Sequence, residues 1–354
     1  MTKTPLLLAA LAVLLVACNR GETGNTTTTP SSGGAASGSG KLKIVFIPKN
    51  TGNVYFDEID RGFKAAQQEL GFDYSEVGPE KGDPTSQIPI VKDQIQRHVD
   101  VIAIAANDKD ALVPVLDQAK SQGITVITVD SDISGNESHR DAAVLQADFN
   151  KVGADQLELM GSLIGYKGDF AILSATANAP NQNAWIATIN QDLKDPKYAG
   201  MHLVATVYGD DKSEKSTTEC EGLVSKYPNL RGIIAPTSVG MAAAAQVVER
   251  MGVFPGGPHA VGQGLQLTGL STPNQLKKFV QAGEVGKFQL WAPFNEGYVA
   301  AYLGSQIHTG KLKPAAGAVL ETKQIKTPPM TAKDEVIAGD IVTFDKSNID
   351  KFNF

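Results

Sequence analysis

Short apolar runs alternate with longer stretches of helical spacing along most of the chain. Residues 43–48 (KIVFIP) are an uninterrupted apolar run that predicts a strand. Residues 55–70 follow as an amphipathic helix, with Phe56, Ile59, Phe63, Ala66 and Leu70 on one face. The alternation goes on with a strand near 73–77, a helix ending near 96, a strand over 101–105, a helix over 110–122 and a strand over 125–129. It then restarts with a strand at 142–146 and a helix at 152–164. The segments 170–173, 184–193, 202–207, 214–227, 232–235, 241–251, 261–264, 272–281, 287–290 and 297–308 continue it. Continuous apolar strands separated by helices indicate parallel sheets covered on both faces. Two comparable halves predict an α/β protein made of two doubly wound lobes.

Both ends of the chain break the pattern. Lys3 precedes an apolar run over residues 6–16 that is too short for a comfortable membrane span but has the length of a signal-peptide core. The run closes on Leu15-Val16-Ala17-Cys18, which looks like a bacterial lipobox, so residues 1–18 read as a lipoprotein signal peptide with Cys18 as the lipidated residue. Residues 19–40 are almost wholly Gly, Ser, Thr, Asn and Pro and predict a flexible spacer. After Gly310 the chain carries several prolines and no strong period, then a strand-like 341–344 and the closing NIDKFNF. Phe352 and Phe354 predict that this tail packs on a lobe.

Composition narrows the function. Residues 41–354 exceed what one core usually holds, in keeping with two lobes. A net charge of −6 without basic clusters argues against nucleic acid as a partner. No further apolar run is long enough to span a membrane, so the chain is not itself a permease. Cys220 is the only cysteine besides Cys18, which rules out a disulfide within the folded part, and it reads as a small packing residue on a helix. Neither a Walker loop, nor H-E-x-x-H, nor a zinc-type Cys/His spacing is present, so no cofactor and no metal is predicted. Gly262-Gln263-Gly264 begins like a dinucleotide fingerprint, but Leu267 stands where the third glycine belongs. His98, His139, His202, His259 and His308 are scattered and suggest no triad.

In open parallel sheets ligands bind beyond the carboxyl ends of the strands, so the residues just after each apolar run carry the information. These are Lys49, Asn50, Asn53, Tyr55 and Phe56 after the first run, then Asn107 and Asp108, then Asp130, Ser131 and Asp132. In the second half they are residues 174–178, Asn181, Gln182, Asn183 and Trp185, then Pro236, Thr237 and Ser238, and finally Trp291. Planar Asn, Gln and Asp side chains can each hold neighbouring hydroxyls, Lys adds a charged donor, and aromatic faces cover the C–H surface of a sugar. Helix caps and turns use the same residue types. Asp130 and Asp132, two residues apart, suit one ligand contact and one cap better than a catalytic carboxylate pair.

At these strand ends the sequence resembles the periplasmic sugar-binding proteins of ABC importers, the ribose-binding-protein class. It is most similar to the rhamnose-binding proteins and autoinducer-2 receptors. The segments that carry the resemblance include FIPKNTGNVYFD (46–57), AIAANDKDALVPVL (103–116), VDSDIS (129–134), ILSATANAPNQNAW (172–185), VYGDDKSEKS (207–216), GIIAPTSVGMAAAA (232–245), TGLSTPNQLKKFV (268–280) and the closing NIDKFNF. The resemblance implies two lobes joined by a three-crossover hinge, with lobes at 41–147 plus 272–302 and at 148–271 plus 303–354. It places Lys49 and Asp130 at first-lobe ligand contacts, Asn181, Gln182, Pro236 and Ser238 at second-lobe contacts, and Phe56 and Trp291 at aromatic positions facing the cleft. Asn53 and Asp132 complete the candidate set. Autoinducer-2 receptors usually carry Asp at the position of Asn181 and Ala at that of Ser238, whereas the ATANxxNQNAW and VYGDD segments look more like the rhamnose-binding members.

The expectation is therefore a non-enzymatic, monomeric solute receptor, exported and tethered to the membrane through Cys18. It would bind L-rhamnose between closing lobes and deliver it to an ABC permease, with autoinducer-2 or another monosaccharide as the alternative. A transcription regulator with the same core would carry a helix-turn-helix where this chain has the lipobox and spacer. An exported glycosidase would need an acid–base constellation that the sequence does not offer.

Overall fold

A computed structural model describes residues 40–354; the predicted signal peptide, Cys18 and the spacer up to residue 39 lie outside the described residues. In chain order, β1 (Lys43–Ile47), α1 (Val54–Leu70), β2 (Asp73–Glu76), α2 (Ile88–Gln96), β3 (Val101–Ile104), α3 (Val113–Ser121), β4 (Thr125–Val129) and β5 (Ala142–Leu145) start the first lobe. The second lobe takes α4 (Phe149–Ile164), β6 (Gly168–Ser174), α5 (Pro180–Asp192), β7 (Met201–Tyr208), α6 (Ser213–Lys226), β8 (Leu230–Ala235), α7 (Ser238–Met251), β9 (Gln266–Gly269), α8 (Pro273–Ala282) and β10 (Phe288–Leu290). The chain then returns to the first lobe for α9 (Pro293–His308) and β11 (Glu335–Ile337), and ends in the second with β12 (Val342–Phe344).

The first sheet is parallel throughout, in the order β11-β5-β4-β3-β1-β2. The second is parallel in the order β7-β6-β8-β9. A bridge from Leu270 to Gln289 lays β10 alongside it, and β12 pairs antiparallel with β10. The strands β3, β4 and β5 are buried at every position, as sheets covered on both faces require.

Three crossovers connect the lobes, at residues 146–148, 291–292 and 338–341. The latter two differ from the expected changes at 272 and 303. The segment 272–290 stays with the second lobe, because α8 packs on α7 and β10 extends the second sheet. The segment 303–337 belongs to the first, because α9 covers β3, β4 and β5 and β11 pairs with β5. Strand partners lie far apart in sequence, and hydrophobic periodicity carries no record of them. The strand expected at 261–264 is also corrected. Gly262 and Gly264 adopt φ of 61° and 80°, left-handed values that an extended strand does not contain, and the strand begins at Gln266.

Helix α1 starts where the Asn53 side chain accepts a hydrogen bond from the Tyr55 amide, and it ends at Gly71, whose φ of 74° suits a left-handed cap. Its apolar face meets α9 at backbone distance. A Cβ on Gly62 would fall 2.1 Å from the Phe294 carbonyl oxygen, and one on Gly297 only 1.9 Å from that of Ile59. The two glycines let the helices touch, and this crossing brings the start of α1 and the first turn of α9 together beneath the cleft. At the far end, Phe344 stacks on Phe288 and meets Phe352 and Phe354 edge-on, so the tail packs on the second lobe.

The crossing predicts that Gly297→Ala lowers the unfolding free energy by about 2–3 kcal/mol, because the helices must separate to admit a methyl group. Urea denaturation should show a lower midpoint with an unchanged slope.

Candidate functional site

The carboxyl ends of β1 and β4 in the first lobe face those of β6 and β8 in the second. Lys49 follows β1 directly, and its loop is pinned from behind. The Gln87 amide donates to the Pro48 and Ala105 carbonyls at 3.0 and 2.7 Å, and Asn107 donates to the Lys49 carbonyl at 2.9 Å. Asp130 follows β4 with φ of 64°, a strained value that turns its side chain out of the strand direction. In the second lobe Asn181 and Gln182 open α5 behind Pro180, while Pro236, Thr237 and Ser238 join β8 to α7.

These groups meet. Lys49 Nζ donates to Asn181 Oδ1 at 2.8 Å, a direct bond from lobe to lobe, and lies 3.8 Å from Asp130 Oδ2. Asn181 Nδ2 reaches the same carboxylate oxygen at 3.4 Å, and Gln146 Nε2 reaches Oδ1 at 3.3 Å. Gln182 Oε1 accepts from the Ser174 hydroxyl and the Ala175 amide, both at 2.7 Å, which leaves its amide nitrogen for another partner. Asp211 accepts from the Thr237 hydroxyl. At the rim, Asn178 Nδ2 donates to Asp108 Oδ2 at 2.9 Å and links the lobes again. The lobes are closed on each other.

Between the lobes lies a narrow cavity of about 40 Å³. Its wall is polar at Lys49, Asn53, Asp130, Asn181, Gln182, Asp211, Thr237 and Ser238. It is apolar at Tyr55, Phe56, Trp185, Pro236, Leu270, Leu290 and Trp291. Trp185 and Trp291 lie with ring centres 6.0 Å apart, and Trp291 meets Tyr55 edge-on. The indole N–H of Trp185 is buried and has no acceptor among the described residues. Burial disfavours every charge here. It holds the Lys49 ammonium below its ordinary range against the pull of Asp130, and holds the Asp130 carboxyl above its own against Lys49 and Tyr55. Asp211 is raised for the same reason.

Residues 44–312 match the periplasmic binding protein domain. The chain belongs to this family. Among solved structures, a sugar ABC transporter protein from Actinomyces odontolyticus is 38% identical, with 88% of this chain and 98% of that one covered and a TM-score of 0.69. A solute-binding protein from Clostridium phytofermentas, solved with bound L-rhamnose, is 31% identical, with the same coverage and a TM-score of 0.82. The D-ribose/D-allose-binding protein of Pseudomonas aeruginosa is 28% identical over 260 residues, 68% of this chain and 75% of that one. The chain is thus a periplasmic binding protein, one of an exported, non-enzymatic class of transport receptors.

In this periplasmic binding protein, Lys49, Asn53, Phe56, Asp130, Asn181, Gln182, Pro236, Ser238 and Trp291 line the cleft. Asp132 does not. It is buried behind the β4 turn, bound by Arg140 Nε and Nη2 at 2.6 and 2.8 Å and by the Thr128 hydroxyl at 2.5 Å. That pair fixes the turn that carries Asp130. Its sign in the sequence is Arg140, eight residues on, which binds both carboxylate oxygens in a fork. Sequence reasoning left out Asp211, although the VYGDD segment contains it, and Glu296, which sits in the first turn of α9 like an ordinary helix-start acid.

Removing one member of a buried ion pair strands the other. Asp132→Ala is expected to lower stability by about 3–5 kcal/mol, read from urea unfolding, whereas an exposed pair such as Arg97–Asp93 should give less than about 1 kcal/mol on the same change.

Proposed function

We propose that this receptor captures L-rhamnose in the cleft and hands it to an ABC permease, from a position held at the membrane by a lipid on Cys18. The observation that carries the reading is the mixed wall of the cleft. A 6-deoxy sugar has adjacent hydroxyls and one methyl group. Asp130 suits two neighbouring hydroxyls, since a carboxylate accepts on both oxygens, while Lys49, the Gln182 amide and the Trp185 N–H supply donors. Leu270, Leu290 and Phe56 suit the methyl group. The L-rhamnose bound by the Clostridium relative supports the same choice. Binding draws on both lobes, so the ligand stabilises the closed arrangement, and no chemistry is done on it.

A thermal-shift panel decides the sugar. At a hundredfold excess over Kd, binding adds about 2.7 kcal/mol, which raises Tm by about 5 °C. Rhamnose should give this shift and ribose, allose and autoinducer-2 should not; a shift with one of those alone replaces rhamnose as the ligand. Asp130→Asn keeps a residue that tolerates the left-handed backbone and is expected to weaken rhamnose binding at least about tenfold by calorimetry. Unchanged affinity removes Asp130 from the site. For the anchor, Cys18→Ser should move the protein from the membrane fraction to the soluble fraction; continued membrane association refutes lipidation at Cys18.

A further inference from the structure

The hinge side of the cleft holds a second carboxyl group that the sugar-binding reading does not use. Glu296 is fully buried in the first turn of α9, four residues past the second crossover. Its Oε1 lies 2.8 Å from the Tyr55 hydroxyl, and its Oε2 has no partner among the described residues. The Tyr55 oxygen has two more neighbours, the Trp291 indole N–H at 2.8 Å and Asp130 Oδ1 at 2.9 Å.

Counting protons settles how these groups are joined. A phenol has one hydrogen to donate and accepts through its oxygen. The indole is a donor only, so it uses one acceptor position of Tyr55. Two carboxyl groups remain, and Tyr55 can donate to only one of them. The other must itself carry a proton and donate to Tyr55. Asp130 has Lys49, Asn181 and Gln146 beside it, which suits an anion. Among the described residues Glu296 has no cation within ion-pair distance, and its Oε2 has no hydrogen-bond partner in the core, where a charge is most costly. The proton therefore sits on Glu296, the single phenol hydrogen points to Asp130, and every hydrogen bond at Tyr55 is made.

We infer that Glu296 is a positioning residue, held as the neutral acid, which through Tyr55 fixes the direction and the charge of Asp130 for the sugar. This rests on the reading of the cleft as the sugar site. Burial and the neighbouring Asp130 charge hold Glu296 well above the usual carboxyl range. The titratable groups that face it are Tyr55 from α1, Asp130 beyond β4 and Lys49 beyond β1; Trp291 beyond β10 does not titrate. A folded-state value raised above the unfolded one gives stability that is fully present below about pH 4.3, the ordinary glutamate range, and is lost as pH rises towards the folded-state value. Carboxyl groups with lowered values, such as Glu158 at about 2, act below that window.

The test compares wild type with Glu296→Gln and Glu296→Leu. At neutral pH the infrared difference between wild type and Glu296→Gln is expected to show the C=O band of a protonated carboxyl group. As pH rises above about 5, the folding equilibrium constant of wild type should fall relative to that of Glu296→Gln, by up to about tenfold per pH unit while only the folded state holds the proton. Glu296→Leu should weaken sugar binding about tenfold. Glu296→Gln, which keeps an N–H to donate to Tyr55, should restore most of that loss. In a Tyr55→Phe background, where the link is already cut, Glu296→Leu should have no further effect on affinity. A carboxylate band in place of the acid, or a Gln variant as weak as the Leu variant, overturns the inference. If wild type binds no sugar in the panel, the reading of the cleft fails, while the infrared band and the pH slope still decide the state of Glu296.

Discussion

A carboxylate held out of water between two lobes sets most of what surrounds it. Asp130 is nearly inaccessible, and an isolated buried charge would neutralise itself. Its polar neighbours come from four directions: Lys49 beyond β1, Tyr55 at the start of α1, Gln146 in the first crossover and Asn181 from the opposite lobe. Each needs its own support, and the Gln87–Asn107 pair, the glycine crossing of α1 and α9 and the Asp132–Arg140 fork supply it. Supporting groups and cleft groups thus divide cleanly by what they touch, even where they stand two residues apart.

Much of this was legible in the sequence because parallel sheets put function at one end of each strand. A polar residue directly after a fully apolar run is easily seen, and nine of the ten candidate residues line the cleft. Asp132 failed the same test for a local reason. It faces back under the turn, and what decides its direction is a partner outside the run, Arg140. Glu296 escaped attention, and Tyr55 stood out only as a strand-end residue, for a different reason. Each sits in the first turn of a helix, where an acid or an aromatic residue has ordinary explanations, and only the meeting of α1 with α9 gives them a joint role. Lobe boundaries were the least legible feature, since a strand of three residues such as β11 in a proline-rich tail has almost no periodicity of its own.

The polar network and the hinge are one construction. Gln146 lies in the first crossover, Trp291 in the second, and Ala338 in the third accepts a hydrogen bond from Asn295 beside Glu296. Part of the network around Asp130 therefore sits where the chain passes between the lobes. In the proposed sugar site, ligand contact and lobe closure would share side chains, so a sugar that satisfied Asp130 would also bear on the angle between the lobes.

The return of α9 and β11 to the first lobe, and of β12 to the second, has a bearing on how the chain comes into being. Emerging with its amino terminus first, the chain cannot complete its first sheet until residue 337 is free, and the strand pair beside the second sheet waits for residue 344. Such late, long-range closures fold slowly. A nascent molecule of this topology keeps both lobes unfinished for almost its whole length, and a thread without knots of finished structure is the form in which an exported polypeptide can still be pulled through a narrow channel.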